Sequence, residues 1–395
     1  MVKMTVRDVD PGGKKVLVRV DFNVPLQDGL VNDDTRIKAS LPTIRYLLEK
    51  GAAVILASHL GRPKGRRDER YSLRPVVTTL AELLGREVTF AADCVGPQAQ
   101  EQVAALRPGQ VLLLENLRFH PEEEKNDEGF ARQLATGAEL YVNDAFGTAH
   151  RAHASTVGVT RFLPAAAGLL MEKELTVLGR LLVSPRTPFV AILGGAKVSD
   201  KIGVVENLLA KIATLVVGGG MANTMLAATG RSVGKSLREE GKEDLALAIL
   251  NRARELGVAV LLPVDAVVAP ALLATAPART VPLQEVGDED MILDIGPASR
   301  DRIARALKDA GTVFWNGPPG AFEVAPFAGG TMALARTVAG LSATTVVGGG
   351  DTVAAVRRAG VAGNITHIST GGGASLEFLE GRELPGVAAL RDLTV

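Results

Sequence analysis

The sequence predicts an α/β protein of two domains, each built on a parallel sheet. Three observations lead there. At 395 residues the chain exceeds the usual extent of one hydrophobic core. Short β-branched apolar runs alternate with longer segments whose apolar residues recur at helical spacing, the pattern of βαβ units. That alternation is laid down twice, once on each side of a helical stretch in the middle of the chain.

Taken in order, the first strands fall at Val16-Leu17-Val18-Arg19-Val20, Val54-Ile55-Leu56-Ala57, Val111-Leu112-Leu113-Leu114 and Leu140-Tyr141-Val142. Met171, Leu175, Leu178 and Leu182 then recur three or four apart and form one face of a helix that stops before Pro185. A helix over 166–185 reads as the connection between domains, although a crossover helix inside one domain has the same pattern. Strands resume at Phe189–Leu193, Leu215–Val217, Val258–Leu262, Thr312–Phe314 and Thr345–Val347. The apolar stretch from Gly257 to Ala278 carries Asp265 with Pro263, Pro270 and Pro277, each of which would interrupt a lipid-exposed helix. It reads as buried strands and turns. The expected division is an N-terminal domain at 1–165, the connecting helix at 166–185 and a C-terminal domain at 186–379. A tail of about 380–395 is expected to return to the first domain.

Forty-four basic residues against forty-four acidic ones leave no net field to gather nucleic acid or an anionic membrane, so neither is an expected partner. Any anion recognition has to be local. Cys94 is the only cysteine, which excludes a disulfide framework and a thiolate metal cluster and reads as a packing residue. The first ten residues lack the apolar core of a secretory signal, and a cytoplasmic location is expected.

In open α/β sheets ligands bind beyond the carboxyl ends of the strands. In the first half those ends read Asp21-Phe22-Asn23, Ser58-His59-Leu60-Gly61-Arg62, Glu115-Asn116-Leu117-Arg118 and Asn143-Asp144-Ala145-Phe146, followed by His150-Arg151-Ala152-His153. Arg62, Arg118 and Arg151 each follow a strand end, and Arg36 lies where a helix opens after Asp33-Asp34-Thr35. A guanidinium presents a forked donor array that matches carboxylate and phosphate. One such arginine is ordinarily a solvated surface residue; four at equivalent positions point to a small anion carrying both groups. His59, His150 and His153 have no cysteine or acidic partner at a metal-binding spacing, and read as auxiliary donors to that anion or as structural residues.

The second half ends its strands in glycine: Gly194-Gly195-Ala196-Lys197, Gly218-Gly219-Gly220, Asn316-Gly317-Pro318-Pro319-Gly320, Gly348-Gly349-Gly350-Asp351-Thr352 and Gly371-Gly372-Gly373. Glycine lets backbone N–H groups approach a phosphate, and a following helix adds its positive N-terminal end. One such loop is an ordinary tight turn; five in one half point to a nucleotide. Lys197 and Lys201, four apart at an expected helix start, would share one face and reach a transferring phosphoryl group. Asp351 opens a helix, where a carboxylate either caps it or binds Mg²⁺ carried by the nucleotide, and Thr352 is placed to contact phosphate. Gly230-Arg231-Ser232-Val233-Gly234-Lys235-Ser236 imitates a Walker A loop but has one residue too few between its glycines, and no G-x-G-x-x-G follows any strand.

Assembled in order, Arg-Val-Asp-Phe-Asn-Val-Pro at 19–25, Ser-His-Leu-Gly-Arg-Pro at 58–63, Asn-Asp-Ala-Phe-Gly-Thr-Ala-His-Arg-Ala-His-Ala-Ser at 143–155, Gly-Gly-Ala-Lys-Val-Ser-Asp-Lys at 194–201 and the loop at 348–352 make the chain resemble the phosphoglycerate kinase family along nearly its whole length. The resemblance implies two Rossmann-like three-layer αβα domains joined by a connecting helix, usually in a monomer. It implies reversible phosphoryl transfer between ATP and the carboxylate of 3-phosphoglycerate, giving ADP and 1,3-bisphosphoglycerate, with Mg²⁺ on the nucleotide. Carried over by motif, Asp21, Phe22, Asn23, Arg36, His59, Leu60, Gly61, Arg62, Arg118 and Arg151 match the phosphoglycerate site. Lys201, Gly219, Asn316, Glu323, Gly349, Gly350, Asp351 and Thr352 match the nucleotide site. Arg36, Lys197, Lys201, Gly372 and Gly373 match positions around the transferring group. The chain departs from the family pattern at Ile292, Pro319 and Asn223, all expected around the nucleoside. Two ligands on opposite domains also imply a closing motion about the connecting helix. A nicotinamide-dependent dehydrogenase and a two-lobed solute-binding protein share this outline. The first lacks its dinucleotide fingerprint here, and the second has no use for paired lysines beside glycine loops.

Overall fold

The computed structural model describes residues 3–393. The continuous aliphatic runs become central strands because a parallel sheet covered on both faces buries every position. Six of them form one sheet: β1 (Lys15–Arg19), β2 (Ala53–Ala57), β3 (Thr89–Ala91), β4 (Val111–Leu114), β5 (Leu140–Asn143) and β6 (Ala165–Ala167), in the order β3-β4-β2-β1-β5-β6. All five pairings are parallel, with Val16 of β1 opposite Val54 on one side and Leu140 on the other. The second sheet repeats the plan with β7 (Phe189–Leu193), β8 (Thr214–Val217), β9 (Ala259–Leu261), β13 (Thr312–Asn316), β14 (Thr344–Gly348) and β15 (His367–Ile368), ordered β9-β8-β7-β13-β14-β15. Every residue of β2, β7 and β13 is buried.

Amphipathic helices cover the sheets. In α1 (Thr35–Glu49) Ile37, Leu41, Ile44, Leu47 and Leu48 are buried at three- and four-residue spacings, packing on Val16, Val18 and Val54. The chain divides into two compact units, one made of residues up to Thr176 together with those from Glu383 onward, the other of Val177–Arg382. That boundary falls inside α2 (Leu169–Val183). In the first unit, Gly386 N–H donates to Ala149 O at 2.8 Å and Asn143 Nδ2 to Gly386 O at 3.3 Å.

Two features differ from the sequence reading. The buried face of α2 is Met171, Glu174, Leu178 and Leu181, with Leu175 and Leu182 only half-buried. A charged residue sits inside the stripe, which hid its phase. The second unit also carries a third, antiparallel sheet of β10 (Asp265–Ala269), β11 (Arg279–Pro282) and β12 (Met291–Ile295), ordered β11-β10-β12, beside the two parallel ones anticipated. The apolar stretch at 257–278 does consist of strands and turns, but Leu272 and Leu273 lie exposed between β10 and β11. Among the described residues no helix is long and apolar enough to cross a membrane.

Candidate active site

In the first unit, the loops leaving β1, β2 and β4 are tied together at their carboxyl ends. Asn23 Oδ1 accepts from Gly61 N–H at 2.9 Å, Phe22 N–H donates to Ser58 Oγ at 2.9 Å, and Asn116 brackets Leu60 by accepting from its N–H and donating to its carbonyl. The Phe22 and Leu60 side chains are buried in the core, so they act on the site only through backbone. Arg36 Nη1 pairs with the buried Asp21 carboxylate. Arg118, 6% exposed, donates from Nη1 to Gly61 O at 2.9 Å, with Nε 3.3 Å from Glu124. Arg151 is half-buried and donates to His150 Nε2 at 3.2 Å, while Arg62 is exposed.

These cations crowd one another. His59 is pushed well below the ordinary histidine range by burial, then by Arg19, Arg118 and Arg36, and His153 is pushed to about 4 by burial and by Arg19, Arg118 and Arg151. Both rings are neutral at physiological pH, and an arriving anion would relieve the repulsion among the guanidinium groups. The sequence reading gave no role to Arg19, which is 1% exposed at the end of β1. Its Nη2 lies 3.1 Å from His59 Nδ1 and its Nε donates to Ser155 Oγ at 2.9 Å. Ser155 in turn donates from N and Oγ to the buried Glu123 carboxylate at 2.9 and 2.5 Å. The only signal for this buried chain was a charged residue inside an apolar strand run.

In the second unit a cavity of about 210 Å³ is lined by Gly195, Ala196, Lys197, Asp200, Lys201, Asn316, Gly317, Pro318 and Gly349–Thr352. The two lysines reach it by a different route from the one expected. Residues 195–198 form an irregular turn, Ser199–Lys201 a 3₁₀ turn, and α3 begins only at Ile202 (Ile202–Leu209), so Lys197 and Lys201 share no helix face. Lys197 is exposed; Lys201 is 8% exposed, and its Nζ donates to Asn316 O at 2.7 Å and to Gly194 O. Two of its three donors are thereby held by carbonyls, and one remains. Burial lowers its pKa to about 8, against the opposing pull of Asp200 and Asp351. Asn316 Nδ2 is a further buried donor with no hydrogen-bond partner among the described residues.

The glycines divide into two kinds. A Cβ on Gly194 would stand 2.5 Å from Pro318 O, and one on Gly317 would stand 2.3 Å from Gly194 O, so these glycines let two strand-end loops pack backbone to backbone. Among the described residues a Cβ on Gly350 would meet nothing within 4 Å. Gly350 opens α4 (Gly350–Arg358), whose cap position is Gly349, and Asp351 is exposed in its first turn. Thr352 Oγ1 accepts from Gly317 N–H at 2.6 Å, so this hydroxyl is engaged in joining loops. Gly219, Glu323, Gly372 and Gly373 lie outside the cavity lining, with Glu323 exposed in a loop and Gly372 capping the helix Gly373–Leu379. Ile292 and Asn223 are also outside it: Ile292 N–H donates to Ser236 Oγ and Asn223 Nδ2 to Leu237 O. Pro319 accepts at its carbonyl from Gly219 N–H.

A family model described as phosphoglycerate kinase matches residues 6–382. The chain belongs to the phosphoglycerate kinase family. Curated phosphoglycerate kinases of Pelotomaculum thermopropionicum and Moorella thermoacetica are 63% and 60% identical to it over 392 residues, covering 99% of this chain and all of each relative. The solved phosphoglycerate kinase of Coxiella burnetii superposes with a TM-score of 0.88 at 41% identity, covering 98% of both chains. That of Pyrococcus horikoshii gives 0.84 at 36% identity. Membership of the phosphoglycerate kinase family makes the chain an enzyme, a kinase of glycolysis, and agrees with its paired α/β sheets.

Proposed function

We propose that the chain transfers a phosphoryl group reversibly between ATP and the carboxylate of 3-phosphoglycerate, in a cytoplasmic monomer. The observation that carries this is Lys201: a desolvated ammonium with one donor left for a ligand, beside the opening of α4 and the Asn316 amide, which has no partner among the described residues, on one cavity. Nucleotide phosphates fit that set. The arginine cluster of the first unit, with two neutral histidines among it, fits the substrate phosphate and carboxylate.

Phosphoryl transfer needs positioning and charge neutralisation, and a carboxylate nucleophile is already ionised at neutral pH, so no strong general base is required. Arg36, Lys197 and Lys201, helped by N–H groups around Gly372 and Gly373, take the charge-stabilising role. The donor set fits a nucleotide-borne Mg²⁺ as well, since Asp351 offers a hard, exposed carboxylate oxygen on the cavity lining. Bound with the nucleotide, Mg²⁺ neutralises phosphate charge. Ile292, Pro319 and Asn223 are assigned to nucleoside selectivity, and a closing motion about α2 brings the substrates together. A coupled assay with 3-phosphoglycerate, Mg²⁺ and ATP or GTP tests the reading: turnover depends on all three components. ATP consumption indifferent to 3-phosphoglycerate would sink it.

A further inference from the structure

Strands β3 and β4 are neighbours, with Ala91 opposite Leu114, so the loops that leave their carboxyl ends run side by side. One carries Asp93 and Cys94; the other passes through Leu117–Phe119 to His120. A carboxylate oxygen of Asp93, the Cys94 sulfur and an imidazole nitrogen of His120 all lie within 4.8 Å of one another. The geometry points to a binding site for a borderline divalent cation of the Zn²⁺ class, ligated by Asp93, Cys94 and His120.

The fold holds these ligands in place. His120 Nε2 is 2.7 Å from Asp93 Oδ1, which also accepts from Cys94 N–H at 2.6 Å. The His120 ring packs against Phe130 with centroids 5.3 Å apart. Cys94 is 4% exposed, while Asp93 and His120 are partly open to solvent, so an ion has a way in to a sulfur that is otherwise shielded. One thiolate, one imidazole and one carboxylate are a mixed soft and borderline set that suits tetrahedral Zn²⁺ with water at the fourth position, and suits Mg²⁺ poorly. Asp93, Glu122 and Glu123 make the surroundings acidic, and Arg67, which feels Asp93, is itself paired with Glu69 at 2.9 Å. Binding breaks the Cys94 S–H bond, forms a sulfur–metal bond and passes the proton to buffer. Occupancy would clamp the 93–94 loop to the segment that carries Arg118 and Glu123.

Cys94 is the only cysteine, which makes the test specific. Chelator-treated full-length protein is titrated with Co²⁺ alone. A sulfur-to-cobalt charge-transfer band should appear and saturate at one equivalent, be abolished by Zn²⁺ and be untouched by Mg²⁺. Cys94→Ser should remove the band with circular dichroism unchanged, and His120→Ala should weaken Co²⁺ binding at least about tenfold; Asp93→Asn supplies a second ligand deletion if His120→Ala misfolds. No charge-transfer band under Co²⁺ excess, or Co²⁺ affinity indifferent to both ligand deletions, overturns the proposal.

Discussion

Replacing Lys201 by methionine keeps the length of the side chain and removes its charge. Burial takes this lysine from its ordinary 10.5 to about 8, roughly 2.5 pH units, or about 3 kcal/mol at about 1.36 kcal/mol per unit. Below about pH 8 folded and unfolded chains both hold the proton. Between about 8 and 10.5 the unfolded chain still holds a proton that the folded one has released, so stability rises with pH through that window. The methionine variant has no such rise. Comparing the two chains cancels every other titration, and the parent should gain about 2 kcal/mol on the variant between about pH 7 and 9.5. Trp315, the only tryptophan and fully buried in β13, reports unfolding of the unit that contains Lys201, so urea melts followed by its fluorescence read the difference directly. The same variant should lose about 10²-fold or more in turnover. In the parent, kcat/KM for nucleotide should fall as pH rises past about 8, where the free ammonium loses its proton. A stability difference that stays flat across this range would refute the desolvation of Lys201, and with it the reason given for its role.

The remaining expectations are structural and chemical. Gly194→Ala should weaken nucleotide binding by forcing apart the loops at Gly194 and Pro318, whereas Gly350→Ala should leave the unligated fold intact and alter only nucleotide binding; equal thermal shifts for both would contradict the two kinds of glycine. Asp351→Asn should raise the Mg²⁺ concentration needed for half-maximal rate with the melting temperature unchanged, and an unchanged Mg²⁺ dependence would exclude Asp351. Glu123→Ala should destabilise the first unit by about 3 kcal/mol or more, because it strips the acceptor from Ser155 beside the buried Arg19; a loss under about 1 kcal/mol, read by circular dichroism in urea, would contradict that chain.

Most strands were legible because a sheet covered on both faces demands unbroken apolar runs, and β7 falls where its five residues predict it. The third sheet escaped notice because β10 opens on a charged residue, Asp265, and β11 buries only Val281. Glu174, buried within the apolar face of α2, put the sequence phase of that helix one turn position off. The arginine set was readable from strand ends, but the Arg19–Ser155–Glu123 chain joins residues 136 and 32 positions apart, which no local pattern records. The helical spacing of Lys197 and Lys201 failed for a backbone reason: Gly195, at φ +115°, turns the chain before a helix can start. Both lysines still line the cavity.

The central claim is the division of labour between arginine cluster and lysine cavity, and calorimetric binding to the two variants tests it most directly. Arg118→Ala should weaken 3-phosphoglycerate by about 1.5–3 kcal/mol, the contribution of a charge-assisted hydrogen bond, and leave ADP binding unchanged, while Lys201→Met should do the reverse. Loss of ADP affinity in Arg118→Ala, or of 3-phosphoglycerate affinity in Lys201→Met, would contradict it.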